Sequence, residues 1–255
     1  MISVEYRDAA LVLTIDRPPV NALDVATLRS LAHLVRDCAD PAVTALVLTG
    51  AGSVFSAGLD LYEFTSSPGT PSELADALSR ACLALMESPL PIVAAINGSA
   101  IAGGCVLACA CDVRLAALGP LSIAATEVAV GLPIPAAPLE VLRAVLGSTA
   151  ILRSTRYSPE EAAAASVVES IQAELIPAAV AVATELGARR PGVFAHVKSE
   201  LNQVVLRRIA AGRDVDQEVR RVWESPQTEA HIRDYLRART RTATAIEGSY
   251  QWKSA

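Results

Sequence analysis

The sequence predicts an α/β fold, and three features support this prediction. Segments with the apolar patterns of strands come singly or in pairs, and each set is followed by a segment with helical periodicity. The chain of 255 residues is 52% hydrophobic, which is enough for one large core. Beyond the core the pattern becomes charged, amphipathic and helical. We therefore predict a core domain at 1–190 and a C-terminal helical region at 191–255.

The predicted elements alternate along the first half of the chain. Asp24 is a suitable N-cap for the first helix, and Ser158, Pro159 and Glu161 form a predicted capping box later in the chain. From about Pro138 onward, helical patterns dominate. The earlier elements are strands at 4–7, 10–16 and 44–50, a helix at 72–86, a strand at 91–97, a helix at 103–111, and short strands at 113–117 and 121–125.

Charge and hydropathy argue against a nucleic-acid-binding protein and against a membrane-spanning protein. A net charge of −5 provides no basic face for nucleic acid. Residues 89–111 carry no charge and could span a bilayer by length, but their prolines, glycines and Asn97 favour a strand, a polar turn and a short buried helix. The N-terminus has no signal or transit pattern, so a cytoplasmic protein without a membrane span is expected.

The five cysteines have neither disulfide nor metal-site spacing. Cys105 and Cys109 share one face of a predicted helix, but Cys111 points away from that face. We expect small buried side chains in a reducing compartment, and no metal.

Glu127 is the only charged residue between Arg114 and Glu140. A carboxyl group in such an apolar segment is either exposed in a loop or buried and functional, and the sequence leaves both possibilities open. Burial would raise its pKa toward neutrality, which suits a general base.

A glycine pair, Gly103 and Gly104, begins the predicted helix at 103–111. Helix N-termini carry unpaired N–H groups, and glycine lets a ligand oxygen approach them. The alternative is a tight turn with close helix–strand packing. The segment AGSVFSAGLDL at 51–61 lacks the last glycine of a dinucleotide fingerprint, and its small residues suit a second exposed N–H group. We interpret Asp60 there as a cap and not as a catalytic acid.

The chain resembles the crotonase, or enoyl-CoA hydratase/isomerase, superfamily over nearly its whole length. The resemblance rests on LTIDRPPVNALD, LTGAGSVFSAGLDL, PIVAAINGSAIAGGCVLACACDVRLAA and the segment around Glu127. It implies a spiral of strand–strand–helix turns with C-terminal helices that form trimers or hexamers. It also implies an acyl-CoA thioester substrate and no separate cofactor, because coenzyme A is part of that substrate.

The resemblance also implies the site residues. Ala57 and Gly103 would donate two N–H bonds to the thioester oxygen. Ala57, Gly58, Leu59, Asp60 and Leu61 would lie along the substrate, as would Gly103, Val106 and Thr126. Glu127 would be the catalytic carboxylate.

The exact reaction depends on the position that Val106 occupies. Hydratases of the superfamily have a glutamate at that position and another at the Glu127 position, whereas this chain keeps only Glu127. We therefore expect a Δ3,Δ2-enoyl-CoA isomerase with one base, although Thr126 stands where those isomerases have asparagine. The alternatives are a hydratase or another crotonase reaction, with Glu63 as the second acid, and a non-catalytic acyl-CoA-binding protein.

Overall fold

The computed structural model describes residues 1–38, 40–190 and 192–250, and of residues 239–250 only the backbone. Its strands are β1 Ile2–Arg7, β2 Ala10–Ile15, β3 Ala45–Gly50, β4 Val54–Ser56, β5 Ile92–Ile96, β6 Ser99–Ile101, β7 Val113–Ala117, β8 Ile123–Ala124, β9 Arg156–Tyr157 and β10 Ser170–Gln172. Its helices are α1 Val25–Arg36, α2 Leu61–Phe64, α3 Thr70–Glu87, α4 Gly103–Ala110, α5 Glu127–Val130, α6 Ala136–Arg153, α7 Pro159–Ala164, α8 Leu175–Gly187, α9 Val193–Ala211, α10 Arg213–Trp223 and α11 Pro226–Tyr250.

Two sheets organise the fold. A larger sheet has the order β1-β2-β3-β5-β7-β10, and a smaller one has the order β4-β6-β8-β9. The strands from β2 to β10 in the larger sheet are parallel, as are β4, β6 and β8 in the smaller one. Each of β3, β5 and β7 is followed by one strand of the smaller sheet and then by a helix. This repetition confirms the α/β class and the strand–strand–helix spiral.

The larger sheet is covered on both faces, as its parallel strands require. One face packs against α8 through Val47, Val93 and Ala183. The other face carries the main core, which includes α1, α3 and α4. Val219, Trp223 and Ile232 from α10 and α11 belong to the same core. The predicted helical character of 191–255 therefore holds for α9, α10 and α11, while Pro191 and residues 251–255 lie outside the described residues.

Several short elements differ from the prediction. The predicted strand at 121–125 is reduced to β8, and β4, β6, β9 and β10 are strands that the sequence analysis does not predict. Each of those four has only two or three residues, which is too short for an alternating pattern to be recognised. The uncharged run 89–111 forms β5, β6 and α4, and no helix within the described residues is both long and apolar enough to cross a bilayer.

A buried ion pair holds α9 against the core. Lys198 Nζ lies 2.8 Å from Asp112 Oδ2 and also donates to the carbonyls of Leu85 and Leu90. Burial raises the pKa of Asp112 even though Lys198 opposes that shift. A neighbouring face of α9 exposes an apolar stripe of Val193, Val197, Leu201 and Val204. The stripe follows helical spacing and forms one continuous apolar surface.

Both predicted helix caps are confirmed. Asp24 accepts a hydrogen bond from the Thr27 N–H group at 2.7 Å. Ser158 accepts from the Glu161 N–H group at 3.2 Å, and the Glu161 carboxylate accepts from the Ser158 N–H group at 2.8 Å. Both N–H groups of this capping box, those of Ser158 and Glu161, therefore have an acceptor.

The capping box gives a stability prediction. We expect Ser158→Ala to lower the free energy of unfolding by about 1 kcal/mol, because an N–H group at the start of α7 loses its acceptor. Ser158→Asp keeps an acceptor there and should stay close to the original protein. Urea denaturation of the three proteins measures this. An alanine variant as stable as the aspartate variant would show that the cap contributes nothing.

Candidate active site

The site forms where three strands of the smaller sheet end. β4 leads into Ala57, β6 into Ala102 and Gly103, and β8 into Thr126 and Glu127. Because these strands are parallel, their carboxyl ends meet at the same edge of the sheet. Ligands of α/β proteins bind at such edges. Three segments that lie far apart in sequence thus converge on one place.

A cavity of about 400 Å³ opens at this edge, within the usual range for a small-molecule site. Of the predicted site residues, six line it: Ala57, Leu59, Leu61, Gly103, Thr126 and Glu127. The other lining residues are Leu78, Ile101, Ala102, Ala129, Val130, Leu132, Ile134, Pro135, Pro138, Arg156, Trp223 and Tyr235. Gly58, Asp60 and Val106 do not line the cavity.

The backbone of Leu59, and not that of Ala57, presents a donor to the cavity. The Ala57 N–H group donates to the Val20 carbonyl at 3.0 Å and is therefore occupied. Leu59 forms a parallel bridge with Leu23, in which the hydrogen bonds use the Gly58 carbonyl and the Asp60 N–H group. In this pattern the Leu59 N–H group turns to the opposite side. The predicted role of Ala57 as a donor is therefore corrected to Leu59.

Gly103 supplies the second donor. Its N–H group is the first of α4, where helix geometry provides no acceptor. Among the described residues, neither this N–H group nor that of Leu59 has an acceptor. A Cβ atom placed on Gly103 would lie 3.5 Å from the Leu59 nitrogen, so the two donors lie close together. Such a pair can bind an oxygen atom that carries negative charge.

A side chain at Gly103 and one at Gly104 would meet different surroundings. A Cβ atom on Gly104 would lie 2.5 Å from the Ser56 carbonyl oxygen, so Gly104 allows α4 to pack against β4. A Cβ atom on Gly103 would meet no atom closer than 3.3 Å and would instead fill the space beside the donors. Close packing therefore explains Gly104, whereas the approach of a ligand oxygen at Gly103 stays a prediction that the open space there permits.

Backbone strain accompanies this arrangement. Ala102, which precedes the glycine pair, has φ 49° and ψ −122°, a region that residues with a Cβ atom seldom adopt. Gly58 has φ 90°, and a Cβ atom there would lie 2.9 Å from the Cβ atom of Ala102. The turn at Gly58 and the strained turn at Ala102 therefore pack directly against each other. Together they set the positions of the two donors.

Glu127 is half-buried as a residue, but its carboxyl group is shielded at the cavity wall and does not point into bulk solvent. It is the first residue of α5, and its Oε2 atom is buried with no hydrogen-bond partner among the described residues. Burial raises the pKa of Glu127 to about 7, although the backbone N–H groups of Glu127 and Thr126 act in the opposite direction. A carboxyl group with this pKa can both accept and return a proton near neutral pH.

The acidic side chains near the cavity have structural roles. Asp60 caps α2 by accepting from the Tyr62 and Glu63 N–H groups, and it lies 2.6 Å from Arg17. This confirms its interpretation as a cap. Glu63 accepts from the Val25 N–H group at 3.1 Å and does not line the cavity. Across the described lining, Glu127 is the only carboxylate.

Val106 belongs to the main core. It lies in α4, is fully buried and is not among the residues that line the cavity, and its contact with a ligand stays a prediction. Cys105 and Cys109 lie on the same helix with their Sγ atoms 4.0 Å apart, which confirms their shared face.

Three lining residues have no signal in the sequence. Arg156 begins β9, Trp223 ends α10 and Tyr235 lies in α11. Each is far along the chain from the site motifs, and only the packing of the C-terminal helices brings the last two to the cavity.

Comparison with known proteins identifies the family. The family model described as "Enoyl-CoA hydratase/isomerase" matches residues 5–244. The chain belongs to this family.

Similar proteins carry both activity names. The crystal structure of human mitochondrial delta3-delta2-enoyl-CoA isomerase matches with a TM-score of 0.87 at 26% identity, over 94% of this chain and 98% of that one. Peroxisomal enoyl-CoA delta isomerase 1 of Arabidopsis thaliana is 29% identical over 82% of this chain and 91% of its own length. A probable enoyl-CoA hydratase of Bacillus subtilis (strain 168) is 41% identical over 46% of each. The chain therefore matches only about half the length of that hydratase. These matches confirm the crotonase superfamily and its fold.

Proposed function

We propose that the protein is an acyl-CoA enzyme that shifts the double bond of a 3-enoyl-CoA to the 2-trans position. The observation that carries this proposal is the single carboxylate, Glu127, in a described cavity lining that also presents two backbone donors. A double-bond shift needs one group that accepts a proton and returns it. Hydration in this superfamily uses a second carboxylate to hold and activate water, and the described lining contains no carboxylate besides Glu127.

The chemistry follows from these positions. The Glu127 carboxylate removes a proton from the α-carbon, and the electron pair of that C–H bond passes into a dienolate. Negative charge grows on the thioester oxygen, where the Leu59 and Gly103 N–H groups stabilise it. Glu127 then returns the same proton to the γ-carbon. The double bond moves by one position, and no atom is gained or lost.

One experiment separates this proposal from its alternatives. We expect conversion of 3-hexenoyl-CoA to the 2-trans isomer and little addition of water to crotonyl-CoA. Rapid hydration of crotonyl-CoA would favour the hydratase suggested by the name of the B. subtilis relative. Binding of acyl-CoA without turnover of any 3-enoyl chain length would favour the non-catalytic protein.

Other features of the proposed function concern assembly and location. We propose that the exposed apolar stripe of α9 packs against other copies of the chain in a trimer or hexamer, because such a surface is usually covered. The oligomeric mass of the protein in solution tests this. The proposed location is the cytoplasm, although the named relatives include mitochondrial and peroxisomal proteins.

The raised pKa of Glu127 predicts the pH profile of this reaction. The base must be ionised, so kcat/KM should rise roughly tenfold per pH unit below about 7 and level off above that value. The fold raises this pKa above its ordinary 4.5, so ionisation of Glu127 should lower stability as pH rises from 4.5 to about 7. Initial rates across this range measure the profile. A rate already level near pH 5 would contradict it.

A further inference from the structure

Trp223 is a wall shared by two cavities. It lines the site cavity of about 400 Å³ and also a second cavity of about 210 Å³. The lining of the second cavity runs from Phe64 at the end of α2 to Pro71 at the start of α3. It also includes residues at the end of α10 and Arg233 in the first part of α11. Among the described lining residues, Trp223 is the only one that the two cavities share.

Several contacts hold the Trp223 ring in this position. Its Nε1–H group donates to the Pro133 carbonyl at 2.9 Å. Its ring packs against Phe64 with centroids 5.4 Å apart and planes inclined by 54°. The side chain is only 2% exposed. An indole with both its polar atom and its face engaged loses free energy if it rotates away.

The helix that carries Trp223 is itself tied to α3. Arg220 Nη2 lies 2.6 Å from Asp76 Oδ1. The Glu224 carboxylate accepts from the Gly69 and Ser72 N–H groups at 3.1 and 3.0 Å, at the start of α3. These contacts hold α10 beside the site on both sides of Trp223. These contacts hold α10 in place, and the contacts of the indole hold the Trp223 side chain in place.

The polarity of the cavity gives a direction to an acyl-CoA. Arg156 and Ala129 are exposed, whereas Leu78, Ile134 and Trp223 are buried. The charged coenzyme A must remain in water, because burial of unpaired phosphates is very costly. The acyl chain would then extend from the thioester toward the buried apolar part of the lining, which includes Trp223.

We propose that Trp223 is the residue that limits acyl chain length, so that the natural substrates are acyl-CoA thioesters of short or medium chain. This proposal rests on the proposed binding of acyl-CoA, but not on the double-bond shift. Each methylene that enters the apolar end should strengthen binding until the chain reaches the indole. Longer chains must displace a ring that is held on two sides.

Binding of unreactive saturated acyl-CoA thioesters tests the proposal separately from catalysis. Calorimetric titration with butanoyl-, hexanoyl-, octanoyl-, decanoyl- and dodecanoyl-CoA should show affinity that rises by up to roughly fourfold per methylene and then falls within this series. Trp223→Leu should move the maximum to longer chains and leave the affinity for butanoyl-CoA nearly unchanged. Trp223→Phe, which keeps an aromatic wall, should move it less.

Two controls keep the test decisive. Leu85→Ala shortens a fully buried side chain of α3 that lines neither cavity. This variant destabilises the core but leaves Trp223 in place. Its affinity should therefore depend on acyl chain length as in the original protein. In a Trp252→Phe protein, Trp223 is the one remaining tryptophan, and its fluorescence should respond to octanoyl-CoA but not to free coenzyme A. Two results would overturn the proposal. One is a folded Trp223→Leu protein whose affinity depends on chain length as in the original protein. The other is Trp223 fluorescence that does not change when octanoyl-CoA binds. Binding of acyl-CoA without isomerisation would leave it standing and refute only the double-bond shift.

Discussion

Glu127→Gln is expected to lower kcat for isomerisation of 3-enoyl-CoA by roughly 10²–10⁴-fold, the usual contribution of a general acid–base. Glutamine has nearly the same shape as glutamate and cannot accept the α-proton. The buried Oε2 atom has no partner among the described residues, so this substitution breaks no hydrogen bond at that atom. The affinity for a saturated acyl-CoA should therefore be kept. Steady-state rates and a binding titration measure the two effects.

Glu63→Gln is the matched control for this variant. Glu63 is also partly buried with a raised pKa, caused first by burial, but it accepts from the Val25 N–H group and does not line the cavity. We expect its isomerase rate to stay within a few-fold of the original. If Glu127→Gln kept near-normal turnover, Glu127 would not be the base, and if Glu63→Gln lost turnover, a mechanism with a single carboxylate would be wrong.

Gly103→Ala should lower kcat/KM by about 10²–10³-fold, the loss seen when one oxyanion donor is removed. The added methyl group would lie 3.5 Å from the Leu59 nitrogen, in the space where a substrate oxygen would approach both donors. Its nearest neighbour would be Leu23 Cδ1 at 3.3 Å, so only a small adjustment is needed for folding. The unfolding midpoint should change little.

Gly104→Ala should give the opposite result. Its Cβ atom would lie 2.5 Å from the Ser56 carbonyl oxygen, so α4 or β4 must shift, at a cost of about 1–3 kcal/mol in the free energy of unfolding. Denaturation curves and rates of both variants, measured side by side, distinguish the two glycines. A Gly103→Ala enzyme with near-normal kcat/KM would show that the donor pair is not used.

The donors show where reasoning from motifs is accurate and where it fails. The motif predicts Ala57 as the first donor, whereas in the structure the Ala57 N–H group is occupied and that of Leu59, two residues later, has no acceptor among the described residues. The choice of residue within the motif depends on which side of the β4 continuation each N–H group faces. The bridge between Leu23 and Leu59 decides that, and it joins residues 36 positions apart. A single sequence contains no record of this register, so Ala57 could not be distinguished from Leu59.

Glu127 is a second case in which the sequence identified a residue but did not determine its environment. The apolar sequence around it left exposed and buried carboxyl groups equally possible. Its burial comes from α5 lying at the edge of the smaller sheet, which collects β4, β6 and β8 from separate turns of the spiral. The short strands of this sheet are too brief to be recognised in sequence, so the prediction missed the sheet edge that places the carboxyl group.

The sequence by itself determined the α/β class, the longer strands and helices, the two caps, the family and the identity of one isolated carboxylate. All of these depend on local periodicity, on side chains that bond to nearby backbone groups, or on motifs several residues long. Only the tertiary structure decided which amide group is left without an acceptor, that Val106 is buried in the core, and that Trp223 lines the cavity. Those facts depend on contacts between segments that are distant in sequence. Such contacts are fixed by the burial of apolar side chains across the whole core.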